Sequence, residues 1–209
     1  MKERESSVLS LLEDKTNIYA RKIALGMKTQ FGWKELTYDG LGLMSRRLAA
    51  YLMNDLGIQR GEKLAILSES KPEYGVCVFA SVISGLITVP LDIKLTKYEL
   101  QSILTDCLPS VMLVSQSYID KALELQKVIP SLKHIIVMDE HPVNENLQSI
   151  YTIPNNYTCK WRHRSRKSVV FIIYTSGTTG NPKGVETTFG NMLCLLYTSP
   201  SPRDAHESR

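Results

Sequence analysis

Short apolar segments alternate along the chain with longer segments in which apolar residues recur every three or four positions. The short segments have the length of β-strands and are bounded by polar or turn-forming residues, so they predict strands. Six strands are predicted, at residues 23–27, 63–68, 87–91, 111–114, 134–138 and 169–174.

The longer segments have the spacing of amphipathic helices. In the first of them, Asp39 stands near the start and Gly57 just past the end, as is typical of helix termini. Thr96 and Glu99 have the spacing of a capping box, which predicts the start of another helix. Four helices are predicted, at residues 38–56, 72–84, 96–106 and 118–127.

Residues 74–91 carry no charge, and this stretch of eighteen residues reaches the lower length limit of a membrane-spanning helix. Gly85 and Pro90 interrupt it, together with three hydroxyl side chains. A buried helix that ends near Gly85 and leads into a buried strand explains the composition better, because a strand covered on both faces is apolar all round.

The alternation of strands and helices predicts an α/β fold, a mostly parallel sheet with helices on both faces. The connections look too long for β-hairpins, which also favours parallel pairing. Ligands of such folds bind beyond the carboxyl ends of the strands. A glycine-rich loop follows the predicted strand at 169–174, so it lies where a ligand is expected.

Composition and charge exclude several classes of protein. The chain has 209 residues, 43% of them hydrophobic, and a formal net charge of +4, so it is an ordinary globular protein without the dense positive charge of a nucleic-acid binder. The four cysteines form no CxxC pair, which indicates neither a zinc site nor a disulfide framework and favours the cytoplasm. The N-terminus has no apolar segment of the kind found in secretory signals.

One basic cluster lies at residues 160–167, and it consists of Lys160, Arg162, His163, Arg164, Arg166 and Lys167. Such a run is typical of a solvated loop. The alternative is a patch that attracts phosphates or an anionic membrane, with Trp161 as an aromatic anchor, and it would make the protein membrane-peripheral.

The loop at residues 174–185 has the sequence YTSGTTGNPKGV, with three glycines, four aliphatic hydroxyls and Lys183. Glycines let backbone N–H groups approach phosphate oxygens, hydroxyls add hydrogen bonds, and a lysine adds a positive charge. The spacing of Gly180 and Lys183 differs from that of a Walker A motif, so a P-loop kinase or GTPase is not expected. The alternative is a surface loop that only connects a strand to a helix.

Residues 175–184 closely resemble the phosphate-loop signature of the acyl-adenylate-forming enzymes, which include acyl-CoA synthetases. Two upstream segments resemble other elements of this family in the same order: Leu36-Thr37-Tyr38, and GLITVPLD at residues 85–92. Residues 61–69 and the pair Pro72-Glu73 are similar to segments of acyl-CoA synthetases. The resemblance spans about residues 23–192. It departs at Phe189, where many members have histidine, and a packing role is expected there.

The resemblance implies an acid–thiol ligase that joins a carboxylate to AMP with ATP and Mg²⁺, releases pyrophosphate, and passes the acyl group to coenzyme A or an acyl carrier protein. A fatty acid is the expected substrate, and an acyl-CoA synthetase the expected type. The residues implied to hold the β- and γ-phosphates are Thr175, Ser176, Gly177, Thr178, Thr179, Gly180 and Lys183.

The later motifs of that family, including its catalytic lysine, have no counterpart in this sequence. Residues 1–193 are therefore predicted to be the N-terminal portion of the family's large domain, without catalytic or metal-binding residues and inactive alone. Residues 194–209, which contain two prolines, are predicted to be a non-native or disordered tail. The alternative is a genuine short protein that binds nucleotide or a partner without catalysis.

Overall fold

The computed structural model describes residues 13–14, 16–159, 164–175 and 182–198. Two strands, β1 (Ile23–Thr29) and β2 (Gly32–Thr37), form a separate antiparallel hairpin. Within these residues, the main sheet has seven strands: β3 (Lys63–Leu67), β4 (Ile87–Leu91), β5 (Val111–Val114), β6 (His134–Val137), β7 (Gln148–Ser149), β8 (Val169–Thr175) and β9 (Lys183–Thr188). The helices are α1 (Tyr38–Asn54), α2 (Pro72–Ser84), α3 (Lys97–Cys107), α4 (Ile119–Val128) and α5 (Phe189–Thr198).

The main sheet has the strand order β7-β6-β5-β3-β4-β8-β9. Neighbouring strands are parallel except β8 and β9, which are antiparallel. Leu64 and Ile66 of β3 pack with α1 and α2 in one apolar cluster, whereas Ala65 and Leu67 pack with α3 and α4 in another. Because successive side chains of a strand point to opposite faces, this division places helices on both faces of the sheet and confirms the predicted α/β fold.

The predicted strands and helices are all present, with bounds within two residues of those expected. None of the connections between the predicted strands is a hairpin, as expected. Two strands that were not predicted do form hairpins: β2 pairs with β1 through a tight turn, and β9 pairs with β8 across the glycine-rich loop. Strands β2, β7 and β9 were not predicted. Their sequences, GWKELT, QS and KGVETT, carry too few apolar residues to show a strand pattern, since β9 is an edge strand and β7 has only two residues.

The uncharged stretch at residues 74–91 is a buried helix followed by a buried strand, as predicted. Helix α2 ends at Ser84, and Gly85 adopts a left-handed conformation with φ of 84°, which a glycine accepts without steric cost. No helix in the described part of the chain is both long and apolar enough to cross a bilayer.

Side-chain caps fix the starts of two helices. Thr96 and Glu99 form the predicted capping box at α3, with both reciprocal hydrogen bonds present. At α1 the cap is Thr37, whose hydroxyl accepts a hydrogen bond from the N–H of Gly40 at 3.2 Å.

The β1–β2 hairpin is docked on α2 by packing and by charge. The Leu25 side chain fills the space that Gly75 leaves open, since a Cβ at Gly75 would lie 2.5 Å from Leu25 Cδ1. Glu73 is buried in the first turn of α2, where it pairs with Lys34 of β2 and accepts a hydrogen bond from the Tyr151 hydroxyl. A buried carboxylate requires such partners, so this contact fixes the hairpin against the main sheet.

Candidate functional site

A cavity of about 710 Å³ opens at the carboxyl ends of the adjacent strands β4 and β8. Its walls come from the end of β4, the start of α3 and the two ends of the glycine-rich loop. The lining residues are Pro90, Asp92, Leu95, Tyr98, Glu99, Ser102, Ile103, Tyr174, Thr175 and Pro182. This is the edge of a parallel sheet at which ligands of α/β proteins bind.

Strands β8 and β9 close the loop at its base. Thr175 lies directly opposite Lys183, and Tyr174 lies opposite Gly184. Directly paired residues of antiparallel strands have Cα atoms about 5 Å apart and side chains on the same face, so Thr175 and Lys183 are brought together. The loop therefore leads into an edge strand and not directly into a helix. Whether it only connects the two strands or also binds phosphate stays a prediction.

The remaining predicted phosphate-binding residues, Ser176, Gly177, Thr178, Thr179 and Gly180, lie outside the described residues. Their role stays a prediction. Lys183 is exposed, and none of the ion pairs among the described residues involves it. Its ammonium group is therefore available to an anion at this end of the sheet.

Tyr174, near the end of β8, joins this strand to α3. Its hydroxyl donates a hydrogen bond to the carboxylate of Asp106. Burial raises the pKa of Tyr174, and the hydrogen bond to Asp106 raises it further, so the phenol stays protonated. Burial, with a smaller contribution from the charge of Asp106, also raises the pKa of Cys107 to about 12. A thiol with such a pKa is not a nucleophile at neutral pH.

Gly184 leaves the space that the Tyr174 ring occupies. A Cβ at this position would lie 2.8 Å from Ile172 Cγ2 and 3.1 Å from Tyr174 Cζ. The sequence suggested a glycine that helps the loop approach phosphate, whereas the structure places Gly184 in β9 under an aromatic ring.

Gly184→Ala is expected to displace the Tyr174 ring and to lower the free energy of unfolding by about 1–2 kcal/mol, because the added methyl group overpacks this contact. Denaturant unfolding measures the change. Gly26→Ala in β1 is the matched control, because its Cβ would meet only atoms at 3.8 Å or more. Equal stability of the two variants would show that Tyr174 does not need the glycine.

Arg164 is buried, so the prediction of a solvated loop is wrong for this member of the basic cluster. Its guanidinium donates hydrogen bonds to the carbonyl oxygens of Leu86 at 3.1 Å, Gly85 at 3.0 Å and Val169 at 3.3 Å. Burial, together with the nearby charge of Arg60, lowers the pKa of Arg164 to about 10. The side chain thus ties the end of α2 to the start of β8, which pairs with β4 beside it.

The other members of the cluster divide into two groups. Arg166 and Lys167 are exposed. Lys160, Trp161, Arg162 and His163 lie outside the described residues, so the membrane patch predicted there is not tested.

Phe189 at the start of α5 is 1% exposed and belongs to the core cluster that packs with α1 and α2. Its predicted packing role is confirmed. Helix α5 runs to Thr198, and residues 199–209 lie outside the described residues, so the interpretation of residues 194–209 stays a prediction.

Within the described ranges, no three or more His, Cys, Asp or Glu side chains are grouped so that they could hold a metal ion. Asp92 and Glu99 line the cavity, and each carboxylate accepts a hydrogen bond from a nearby backbone N–H group.

A family model described as AMP-binding enzyme matches residues 12–208. Among curated proteins, the human long-chain-fatty-acid–CoA ligase ACSBG1 is 30% identical over 179 residues, which cover 80% of this chain and 24% of that protein. The crotonobetaine/carnitine–CoA ligase of Escherichia fergusonii is 28% identical over 198 residues, which cover 90% of this chain and 37% of that protein. The chain thus spans about a quarter to a little over a third of the length of these relatives.

Solved structures show the same architecture. The anthranilate CoA ligase AuaEII, solved with anthranoyl-AMP, superposes with a TM-score of 0.77 at 26% identity, over 91% of this chain and 36% of that chain. The luciferase-like enzyme of the mealworm Zophobas morio superposes with a TM-score of 0.79 at 20% identity, over 95% of this chain and 46% of that chain. At 20% identity, the similarity to the luciferase-like enzyme concerns the fold alone.

Proposed function

The chain belongs to the AMP-binding enzyme family, and we propose that it is the N-terminal part of an acid–thiol ligase that activates a carboxylic acid with ATP. The observation that carries the proposal is the position of the glycine-rich loop. Its base, formed by Thr175 and Lys183, lies beside a large cleft at the carboxyl ends of β4 and β8.

In this proposal, the chain's own contribution is to hold the β- and γ-phosphates of ATP. Lys183 places a positive charge next to the Thr175 hydroxyl, and residues 176–180 add hydroxyl and backbone N–H donors. These groups steady the departing pyrophosphate by position and charge, without taking up a proton. Magnesium, when bound, offsets the negative charge of the phosphates.

We further propose a fatty acid as the carboxylate and coenzyme A as the thiol acceptor. ACSBG1 is named as a ligase of long-chain fatty acids and coenzyme A, and it matches four-fifths of this chain. A carrier protein is the alternative acceptor, since a solved neighbour is an adenylation domain joined to a carrier domain in a carboxylic acid reductase. Cytoplasmic residence remains the prediction made from the cysteine pattern.

The test is isothermal titration of this chain with Mg²⁺-pyrophosphate and with Mg²⁺-ATP. We expect saturable binding of both, because the loop is present and its base is formed. A chain that remains folded but shows no saturable binding of either would overturn the proposal.

Carboxylate-dependent exchange of pyrophosphate into ATP is measured in parallel. We expect none from the chain alone, because the family's later motifs have no counterpart in it. Measurable exchange would support the ligase and contradict the expectation that this portion is inactive by itself.

A further inference from the structure

The end of the β8–β9 hairpin that carries the glycine-rich loop extends past its support in the main sheet. Strand β8 is in register with β4 at one position, where Phe171 lies opposite Thr88. From Ile172 to Thr175 its registered partner is β9, whose first four residues are exposed. A two-stranded ribbon is only marginally stable by itself. The position of the loop's base therefore depends on what joins this end of the hairpin to the rest of the fold.

The Tyr174 side chain makes such a connection. Its ring lies under Gly184 of the partner strand and packs against the apolar cluster that includes α3. Its hydroxyl donates a hydrogen bond to the carboxylate of Asp106 in α3. Thr175 is the next residue along β8, and Lys183 lies opposite it. The contact with α3 is therefore one residue away from the pair that forms the base of the loop.

Asp106 lies at an unfavourable position for an aspartate. It is the next-to-last residue of α3, and the last turn of this helix contains no basic residue. A carboxylate near a helix C-terminus is repelled by the partial negative charge of the free carbonyl groups, and aspartate is a poor helix former. The stability of the helix therefore does not explain an aspartate here, whereas its hydrogen bond with Tyr174 does.

Helix α3 is a firm support for this carboxylate. The capping box holds its first turn, and Leu100 and Leu104 are completely buried on the face that packs on the sheet. Its end is fixed by Leu108, which has φ of 50° and donates a backbone hydrogen bond to the carbonyl oxygen of Leu104 at 2.9 Å. A helix held at both ends and along one face keeps Asp106 in a constant position relative to the sheet.

We propose that Asp106 is a positioning residue for the binding of the pyrophosphate group of ATP. Through Tyr174 it holds Thr175 and Lys183 where they meet the phosphates, and it does not itself touch the ligand. Its own negative charge opposes an anion, so its favourable effect on affinity comes from position alone. The inference rests on the proposed function, because it concerns the same phosphate site.

Isothermal titration with Mg²⁺-pyrophosphate tests the positioning role. Asp106→Ala is expected to weaken binding about five- to tenfold, because a small displacement of the binding groups is costly. Tyr174→Phe is expected to weaken it by a similar factor, since it removes the same hydrogen bond. The double variant should then bind no more weakly than either single variant, because the two residues act through one contact. Losses that multiply in the double variant would contradict action through this hydrogen bond.

Asp106→Asn separates position from charge. The amide oxygen still accepts a hydrogen bond from the Tyr174 hydroxyl, but the negative charge is gone. This variant is expected to recover most of the affinity that Asp106→Ala loses. Tighter binding by both variants than by the original chain would show that Asp106 acts on the anion only by its charge, and it would overturn the inference.

Tyr157→Phe is the matched control. The Tyr157 hydroxyl donates the same kind of hydrogen bond to Asp55, which lies at the C-terminal end of α1, and Tyr157 does not line the cavity. We expect an unchanged pyrophosphate affinity, with thermal unfolding showing that each variant is folded. Equal losses of affinity in Tyr157→Phe and Tyr174→Phe would mean general loosening and would overturn the inference.

The original chain distinguishes this inference from the proposed function. If the original chain binds pyrophosphate and Asp106→Ala binds it equally well, the positioning role fails and the proposed function stands. If the folded original chain binds neither pyrophosphate nor ATP, the proposed function fails and the positioning role fails with it.

Discussion

Arg164→Met is expected to lower the free energy of unfolding by about 3 kcal/mol, the largest loss of stability that we predict. The methionine side chain fills most of the space of the arginine, but it removes the hydrogen bonds that the guanidinium donates to the carbonyl oxygens of Leu86 and Gly85. The Gly85 oxygen keeps only the hydrogen bond from the Gly61 N–H. Hydrogen bonds from a charged group are worth about 1.5–3 kcal/mol each, and relief of the buried charge offsets part of their loss. For a chain of this size the midpoint of thermal unfolding should fall by about 6–12 °C.

Two further variants sharpen this test. Arg166→Met removes an exposed arginine from the same segment and is expected to change stability by less than about 0.5 kcal/mol. Arg164→Lys keeps the charge but cannot reach three carbonyl oxygens with one ammonium group, so an intermediate loss is expected. If Arg164→Met were as stable as Arg166→Met, the contact between α2 and β8 would not depend on the guanidinium.

Lys183→Met is expected to weaken binding of pyrophosphate by about 10- to 100-fold. Lys183 lies opposite Thr175 at the base of the loop, and a charge-assisted hydrogen bond to a phosphate oxygen is worth about 1.5–3 kcal/mol. Stability should change little, because the side chain is exposed at the start of an edge strand. Isothermal titration of the folded variant and of the original chain with Mg²⁺-pyrophosphate gives the ratio of their two dissociation constants.

Lys167→Met is the matched control for charge. Lys167 is also exposed but precedes β8, so it lies at the amino end of the strand whose carboxyl end carries the loop. Its removal lowers the net charge equally and is expected to leave the affinity nearly unchanged. Similar losses in the two variants would mean that pyrophosphate responds to overall charge and not to this site.

Much of the main sheet could be predicted because its strands are buried on both faces. In β3 and β5 nearly every side chain is inaccessible, so the sequence is a continuous apolar run that can be recognised without neighbours. The capping box at Thr96 and the glycine at residue 85 fixed helix ends by local chemistry. The fold class followed from the order of these elements.

The exposed strands and the pairing between distant segments could not be predicted in the same way. Strand β9 has one apolar residue, Val185, and its first four residues are exposed, so it shows no strand pattern in the sequence. Arg164 lies in a basic segment of the sequence. The residues next to it in the sequence do not indicate that its guanidinium donates hydrogen bonds to the carbonyl oxygens of Gly85 and Leu86. The position of the glycine-rich loop after β8 was predicted, whereas the pairing of Thr175 with Lys183 at its base depends on strand pairing that the motif does not encode.

The strand order also has a consequence for a chain that folds while it is being synthesised. Strand β4 can pair with β3 as soon as both have left the ribosome, but its other edge is paired only by β8. Until Val169–Thr175 has been made, a buried apolar strand presents unpaired N–H and C=O groups. A nascent chain that folds before β8 has emerged therefore leaves β4 as an open edge, which is prone to aggregation until β8 pairs with it.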